Sequence, residues 1–448
     1  STIASMLSMS LKIDRENLGA ARPVGTAVNG SGSGNGNGMN SKRNMLAYDR
    51  SSTGLWVALI FLVSLNLRPA IAAVGPVLAQ MGTDLAWGEG VQGVLTAIPL
   101  IAFAVVSPLV TFLARRIGID ISILLALLCI AAGDFARSFG GGVGIWLGTV
   151  VFASAIAVGN VLVPVIAKRD YAGHVAMATG VYSGCITAGS ATAGLLSAPL
   201  AQMWGGWRAS LAFWSVPPLV VAVLWALRIL HNRKIVVASA AVRNSPSAQS
   251  ARSQSSRGVF ARVLRRPMTW YVTAFMGLQS SAFYTMSNWM PSISASIGYD
   301  ASTAGVHLFI FQGIGIFSGL LIPKLMNVRG NQVCAALTAS APMFIAGLGM
   351  LLLPHLMPVW AFVGGCAQGA SLVVALALIA LRGRDSAETV VLSGVAQSFG
   401  YLIASLGPLM FGVLVQATGG HHVPLMVFTF VAFLQCVVAV IVGRPSKM

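Results

Sequence analysis

From about residue 55 to its C-terminus the chain repeats one pattern, a run of some 20 mostly apolar residues followed by a short polar break. Roughly 20 residues at about 1.5 Å each make a helix that crosses the hydrocarbon of a bilayer. Twelve such runs are read, at 55–78, 91–113, 119–136, 143–165, 175–200, 209–230, 268–293, 303–325, 333–353, 359–381, 390–415 and 423–442. The pattern predicts an all-α membrane protein.

Two polar stretches stand outside this rhythm. Residues 1–50 hold a Gly/Ser/Asn tract from Gly30 to Gly38, which offers too little apolar surface to fold and predicts a disordered tail. This stretch lacks the features of a secretory leader, and Met39 is a second candidate start. Residues 231–267, rich in Ser, Ala and Arg, separate the sixth run from the seventh. The domains expected are therefore the tail, a six-helix half over 51–230, a basic linker over 231–267 and a second six-helix half over 268–448.

The halves echo each other. Lys168-Arg169-Asp170 followed by Thr179-Gly180-Val181 parallels Arg382-Gly383-Arg384-Asp385 followed by Ser393-Gly394-Val395, each joining the fourth run of its half to the fifth. Two parallel six-helix halves are the organisation of a large class of secondary transporters, whose substrates bind near the midplane between them. Gly315 and Gly319, and Gly365 and Gly369, have the spacing that lets helix backbones approach closely.

Composition agrees, with 56% hydrophobic residues and 9% charged, where a soluble domain carries about a quarter charged. The charges test the count of runs, because cytoplasmic loops gather Lys and Arg. With the N-terminus inside, 25 of the 28 basic residues fall on the cytoplasmic side, Arg137 and Arg208 on the other, and Arg68 deep within a run. Both termini are then cytoplasmic and the location a cell (inner) membrane. The net charge of +17 is spent on orientation and anionic lipid headgroups, which excludes nucleic acid as a partner. Cys129, Cys185, Cys334, Cys366 and Cys436 lie in apolar runs without metal-ligand spacing, and neither metal nor cofactor is expected.

Arg68 carries the sharpest chemical signal. It lies 13 residues into the first run, roughly 20 Å from its start, and a charge at that depth faces a cavity or a partner. None of the eleven acidic residues falls near the centre of a run; Asp134, three residues before Arg137, suits a local helical pair. A guanidinium without a carboxylate draws an anion, and its planar fork fits a carboxylate or another small delocalised anion. Asn66 adds a donor and an acceptor, and Pro69 a break in the backbone ladder.

Further mid-run polar groups are Asn160, Tyr182, Gln279, Tyr284, Trp289, Gln312, Gln368, Gln397 and Tyr401. With Arg68 and Asn66, all but Gln368 form the expected substrate-binding set. A cation exporter would show a buried carboxylate, and the sequence predicts none. His307, toward the outer end of the eighth run, is the one proton-relay candidate and is expected at headgroup level. An enzyme would need His, Asp or Glu clustered at depth; the six His fall mostly in or beside loops. The function expected is alternating-access transport of a small organic anion by a monomer, with a proton as a conceivable coupling ion.

The motifs Leu65-Asn66-Leu67-Arg68-Pro69, Gly159-Asn160-Val161-Leu162, Met276-Gly277-Leu278-Gln279-Ser280, Trp289-Met290-Pro291 and Gln397-Ser398 with Gly400-Tyr401 resemble the cyanate and 2-nitroimidazole transporter branch of the major facilitator superfamily. The resemblance implies twelve helices, rocking of the two halves, a site containing Arg68, and small anions such as cyanate as one substrate class. It equally implies an alternative, export of neutral nitroaromatic or drug-like compounds. The superfamily's loop signature after the second helix survives only as Arg115-Arg116-Ile117-Gly118, without its aspartate.

Overall fold

The computed structural model describes residues 58–171, 175–239, 260–326, 331–384 and 386–444. The expected tail, 1–50, and most of the basic linker, 240–259, lie outside them. Among the described residues all regular structure is helical. Residues 58–62 are helical and belong to a unit of their own; everything below concerns the second unit, which begins at Val63.

The spans follow the hydropathy pattern. The first covers Ala58–Leu85; the second to fifth are Glu89–Ile117, Ile119–Phe139, Gly141–Asp170 and Val175–Met203. The sixth joins two helices, Trp207–Phe213 and Val216–Ser239. The seventh to twelfth are Pro267–Ser296, Ala301–Leu321, Val333–Leu352, Met357–Arg382, Ser386–Thr418 and His422–Gly443. Eleven of the twelve are long and apolar enough to cross a membrane; the seventh has the length, at 30 residues, but is more polar. Its burial explains this, since every residue from Gln279 to Pro291 is covered by protein and none needs to suit lipid. Val105, Leu109 and Phe112 of the second span, by contrast, are exposed apolar side chains.

Packing repeats between the halves. The first span packs on the fifth, the second on the fourth, and the third on the fourth and sixth; the seventh packs on the eleventh, the eighth on the tenth, and the ninth on the tenth and twelfth. Between the halves, the second span packs along the eleventh and the fifth along the eighth. The predicted small-residue contact is present where the eighth and tenth spans meet, with Gly315 directly against Gly369.

Arg116, Arg169, Arg228, Arg266 and Arg382 lie at one end of the spans, here called the basic end. At the far end the halves are tight. A Cβ built on Gly93 would stand 3.1 Å from the carbonyl oxygens of Pro408 and Leu409 and 3.2 Å from the Cα of Gly412. One on Gly194 would stand 2.9 Å from Leu308, and one on Gly75 would press on the Ser287 carbonyl. Toward the basic end the same fifth–eighth seam is slacker, with Leu320 and Ile316 3.8 Å from a Cβ on Gly180 and Gly184.

Four expectations need correction. The first span is not one helix ending at 78; it breaks at residues 66–68 and runs on through a 3-10 turn, Gly75–Val77, to Leu85. The sixth span breaks before Pro217 and Pro218, which begin a new helix more readily than they continue one. Arg137 is no loop residue, since it is buried in the third span. The expected absence of a buried carboxylate also fails, since Asp134 and Glu388 are both buried, each beside an arginine; His307 is buried as well, its Nδ1 3.0 Å from the Ser294 hydroxyl, with the Tyr299 ring edge-on at 4.8 Å.

Candidate functional site

The site begins with the broken helix. Pro69 has no N–H to donate to the carbonyl of Leu65 four residues back, so the ladder opens there. That carbonyl faces the fifth span, and only a glycine at 189 leaves it room, since a Cβ would collide with it. The chain turns through Asn66, whose N–H reaches the Val63 carbonyl at 3.0 Å, and restarts where the Arg68 carbonyl accepts from Ile71 and Ala72, both at 3.1 Å. Arg68 thus projects from a kink and not from a regular helix.

Its guanidinium lies against aromatic faces. The Cζ stands 4.9 Å from the Phe283 ring centroid and 5.2 Å from that of Tyr284, two rings inclined at 77° to each other. Phe103 of the second span meets Tyr284 at 6.5 Å and Tyr401 at 5.3 Å, both edge-to-face, so three spans line one aromatic corner. Arg68 forms no ion pair among the described residues, and its Nε is buried without a hydrogen-bond partner. Cation–π contact stabilises such a charge by about 1–2 kcal/mol when desolvated. It leaves unused the N–H edge, where all five donors lie.

Other polar atoms around this corner are also unsatisfied. The Tyr284 hydroxyl, Asn160 Nδ2 and Gln312 Oε1 are buried with no partner. Gln312 reaches the seventh span through Nε2, which donates to the Ser287 hydroxyl at 3.2 Å, and its neighbour Phe311 stacks on Phe283 at 6.2 Å. Asn160 follows Gly159, which abuts the Leu67 side chain. Orphaned buried polar atoms of this kind are what an ordered water or a bound polar molecule would satisfy.

The remaining expected residues divide. Tyr401 joins the corner through Phe103. Gln397, one turn nearer the basic end, donates within its own helix to Ser393 at 2.8 Å, and Gln279 donates to the adjacent Ser280 at 2.7 Å. Asn66 is buried beside the kink, and Tyr182 is buried toward the basic end of the fifth span. Trp289 serves the far-end closure instead, with Nε1 donating to the Pro408 carbonyl at 3.2 Å and its ring 5.4 Å from Phe411. Gln368 donates to the Gln312 carbonyl at 3.2 Å and so supports the eighth span. Sequence reasoning missed Phe103, whose apolar side chain in an apolar run carries no signal.

Several charges elsewhere among the described residues are paired. Asp134 and Arg137, both fully buried, meet at 2.7 Å; Arg137 also donates to the Ala70 carbonyl at 2.8 Å and lies over Phe152 at 4.6 Å. At the basic end Asp170 accepts from Arg228 at 2.5 Å and Arg169 at 2.6 Å, and Arg169 reaches Asp120 at 2.9 Å. Burial opposes the charged form of Asp170, but hydrogen bonds from Arg169 and Arg228 outweigh it and hold its pKa below the usual carboxylate range. In the second half Glu388, buried, accepts from Arg266 at 2.8 Å. At the far end a cavity of about 550 Å³ is lined by Glu89, Ser296, Gln416, His421 and His422. Burial draws the His421 imidazole below its usual pKa, with Glu89 opposing. Among the described residues no group of three His, Cys, Asp or Glu could hold a metal.

The comparisons agree with this architecture. A family model described as Major Facilitator Superfamily matches residues 58–408. Over 371 residues, 82% of this chain and 88% of the other, the sequence is 35% identical to the uncharacterized transporter YycB of Bacillus subtilis (strain 168). It is 32% identical over 393 residues to a 2-nitroimidazole transporter of Escherichia coli (strain K12), covering 88% of this chain and 96% of that one. It is 24% identical over 385 residues to the cyanate transport protein CynX of the same strain, covering 86% and 94%. A bacterial homologue of the human lysosomal transporter Spinster, in an inward-facing and unoccupied crystal structure, shares the fold with a TM-score of 0.70 at 15% identity, over 89% of this chain and 99% of that one.

Proposed function

The chain belongs to the major facilitator superfamily, and from that premise we propose that it carries a small organic anion across the membrane with Arg68 as the counter-charge. It is a multi-pass membrane transporter and not an enzyme. The observation that carries the substrate reading is the guanidinium of Arg68, without an ion pair among the described residues and set against Tyr284, whose hydroxyl is buried without a partner. A half-buried charge within a membrane span and without a carboxylate partner is costly and persists where function needs it.

In this reading the basic end faces the cytoplasm, both termini lie there, and the membrane is the cell (inner) membrane. The far-end closure then makes this an inward-facing state. Residues 51–230 and 268–448 rock as two halves, joined by the linker, and one copy of the chain suffices. Three modes of coupling fit a site with no carboxylate: the anion carrying its own proton, exchange, or facilitated passage. Cyanate-like anions and carboxylates are the proposed substrate class.

A second reading, export of neutral nitroaromatics, draws on the aromatic walls around Arg68 and on the relative named for 2-nitroimidazole. A nitro group has a carboxylate's planar pair of oxygens without its charge. Uptake of labelled cyanate and acetate by proteoliposomes holding wild type or Arg68→Ala separates the two. Uptake lost in the variant supports the anion reading; no anion uptake, with 2-nitroimidazole movement unaffected by the variant, supports the other.

A further inference from the structure

Resting on the anion reading above, we infer that Arg137, held by Asp134, is a positioning residue of the site: it pins the helical turn that begins at Arg68 by taking the Ala70 carbonyl.

Arg68 is the N-cap of Pro69–Ala72, a single helical turn. The turn winds tightly after the kink, and the N–H groups three and four residues beyond Ala70 donate elsewhere, Ala73 to Pro69 at 2.8 Å and Val74 to Ile71 at 3.4 Å. The Ala70 carbonyl, in a fully buried residue, is thus left without its helical donor, which would be costly unless another group supplied one. Arg137 Nη1 supplies it at 2.8 Å. The arginine is itself fixed, because Nη2 donates to Asp134 at 2.7 Å and the Phe152 ring covers the guanidinium at 4.6 Å. Its backbone is locked against the fourth span, where a Cβ on Gly148 would stand 2.6 Å from the Arg137 nitrogen. The third span packs on the fourth and sixth, so this one bond ties that scaffold to the kink of the first. Arg68 has no ion pair of its own among the described residues and rests on two rings. The place of its charge is therefore set by its backbone, and a binding group is held only as well as the residues that support it.

Uptake of labelled cyanate and acetate by proteoliposomes over a range of concentrations, beside thermal melts in detergent, tests this. Asp134→Asn keeps an oxygen for Arg137 Nη2 and keeps the bond to Ala70, but leaves the guanidinium without its counter-charge; it should melt lower than wild type with KM close to wild type. The double variant Asp134→Leu with Arg137→Met removes both charges and the bond to Ala70. It should melt higher than Asp134→Asn, yet its KM should rise about tenfold, the size of one hydrogen bond from a charged group, with the maximal rate little changed. Arg137→Lys keeps a cation beside Asp134 but lacks the fork that serves two acceptors, and should raise KM in the same direction. A merely structural role predicts instead that KM follows the loss of melting temperature. A wild-type KM in the folded variants that lack the Ala70 bond, or an equal rise in Asp134→Asn, overturns the inference while leaving Arg68 as the anion site. If Arg68→Ala takes up both anions as wild type does, or wild type takes up neither, the anion reading fails and the inference with it.

Discussion

The guanidinium of Arg68 lies 4.9 Å over the ring of Phe283, on the polar seventh span, and has no carboxylate partner among the described residues. The contrast with Arg137 is instructive. Both arginines lie within membrane spans and over an aromatic ring, but Arg137 has Asp134 at 2.7 Å and a backbone carbonyl at 2.8 Å. One arginine has a carboxylate partner in the protein and the other has none, although the Nε of each is buried without a hydrogen-bond partner; in the reading proposed above the transported anion is the partner of Arg68.

This difference predicts opposite stability effects. Arg68→Met removes a half-buried charge that has no carboxylate partner and is held only against two aromatic rings, and leaves a side chain able to fill much of the same space. The ligand-free melting temperature in detergent should stay level or rise, while anion uptake falls at least tenfold. A clear fall in melting temperature would mean that Arg68 supports the fold.

Asp134→Ala should act in the opposite sense, because it strands Arg137 in the interior at a cost of about 3–5 kcal/mol. The double variant Asp134→Leu with Arg137→Met should recover much of that loss. Thermal melts of the three proteins test it; additive losses in the double variant would contradict a buried pair.

The far-end seam predicts a conformational effect. Side chains at Gly93 meet the carbonyls of Pro408 and Leu409, which cannot yield without moving the eleventh span. Gly93→Leu should therefore disfavour far-end closure, and Gly142→Leu, at a position with open space around it, should not. In a cysteine-free background, maleimide labelling of Thr96→Cys, at a buried position, should quicken in the first variant alone. Unchanged labelling would mean that the seam opens without separating these spans.

At the basic end, Asp170 has a pKa lowered by Arg169 and Arg228 against the opposing effect of burial. A depressed carboxylate contributes stability above its unfolded pKa and loses it as pH falls through the folded value. Melting temperature should therefore drop on acidification from about pH 5 to about pH 3, and drop less in Asp170→Asn. Equal acid sensitivity in both proteins would remove Asp170 from the account.

Hydropathy made the spans legible because lipid imposes the same demand on every one of them. Arg68 was legible for the same reason, as a charge in an apolar run. The seventh span was legible by length, and its polar content already singled it out as a candidate lining of the site. The aromatic corner was not legible, since Phe103 looks like any lipid-facing Phe until the second span is seen against Tyr401. Gly75 and Gly93 were equally silent, because a glycine signals close approach only when its neighbour is known. Spacing gave the Asp134–Arg137 pair, but its burial depends on Ala70, 67 residues away in sequence.

The most direct test is a thermal-shift comparison of purified wild type and Arg68→Ala across cyanate, acetate, benzoate and 2-nitroimidazole. Stabilisation of wild type by at least one anion, lost in Arg68→Ala while the variant remains folded, is the predicted result. Stabilisation by 2-nitroimidazole alone, equal in both proteins, would contradict an anion site at Arg68.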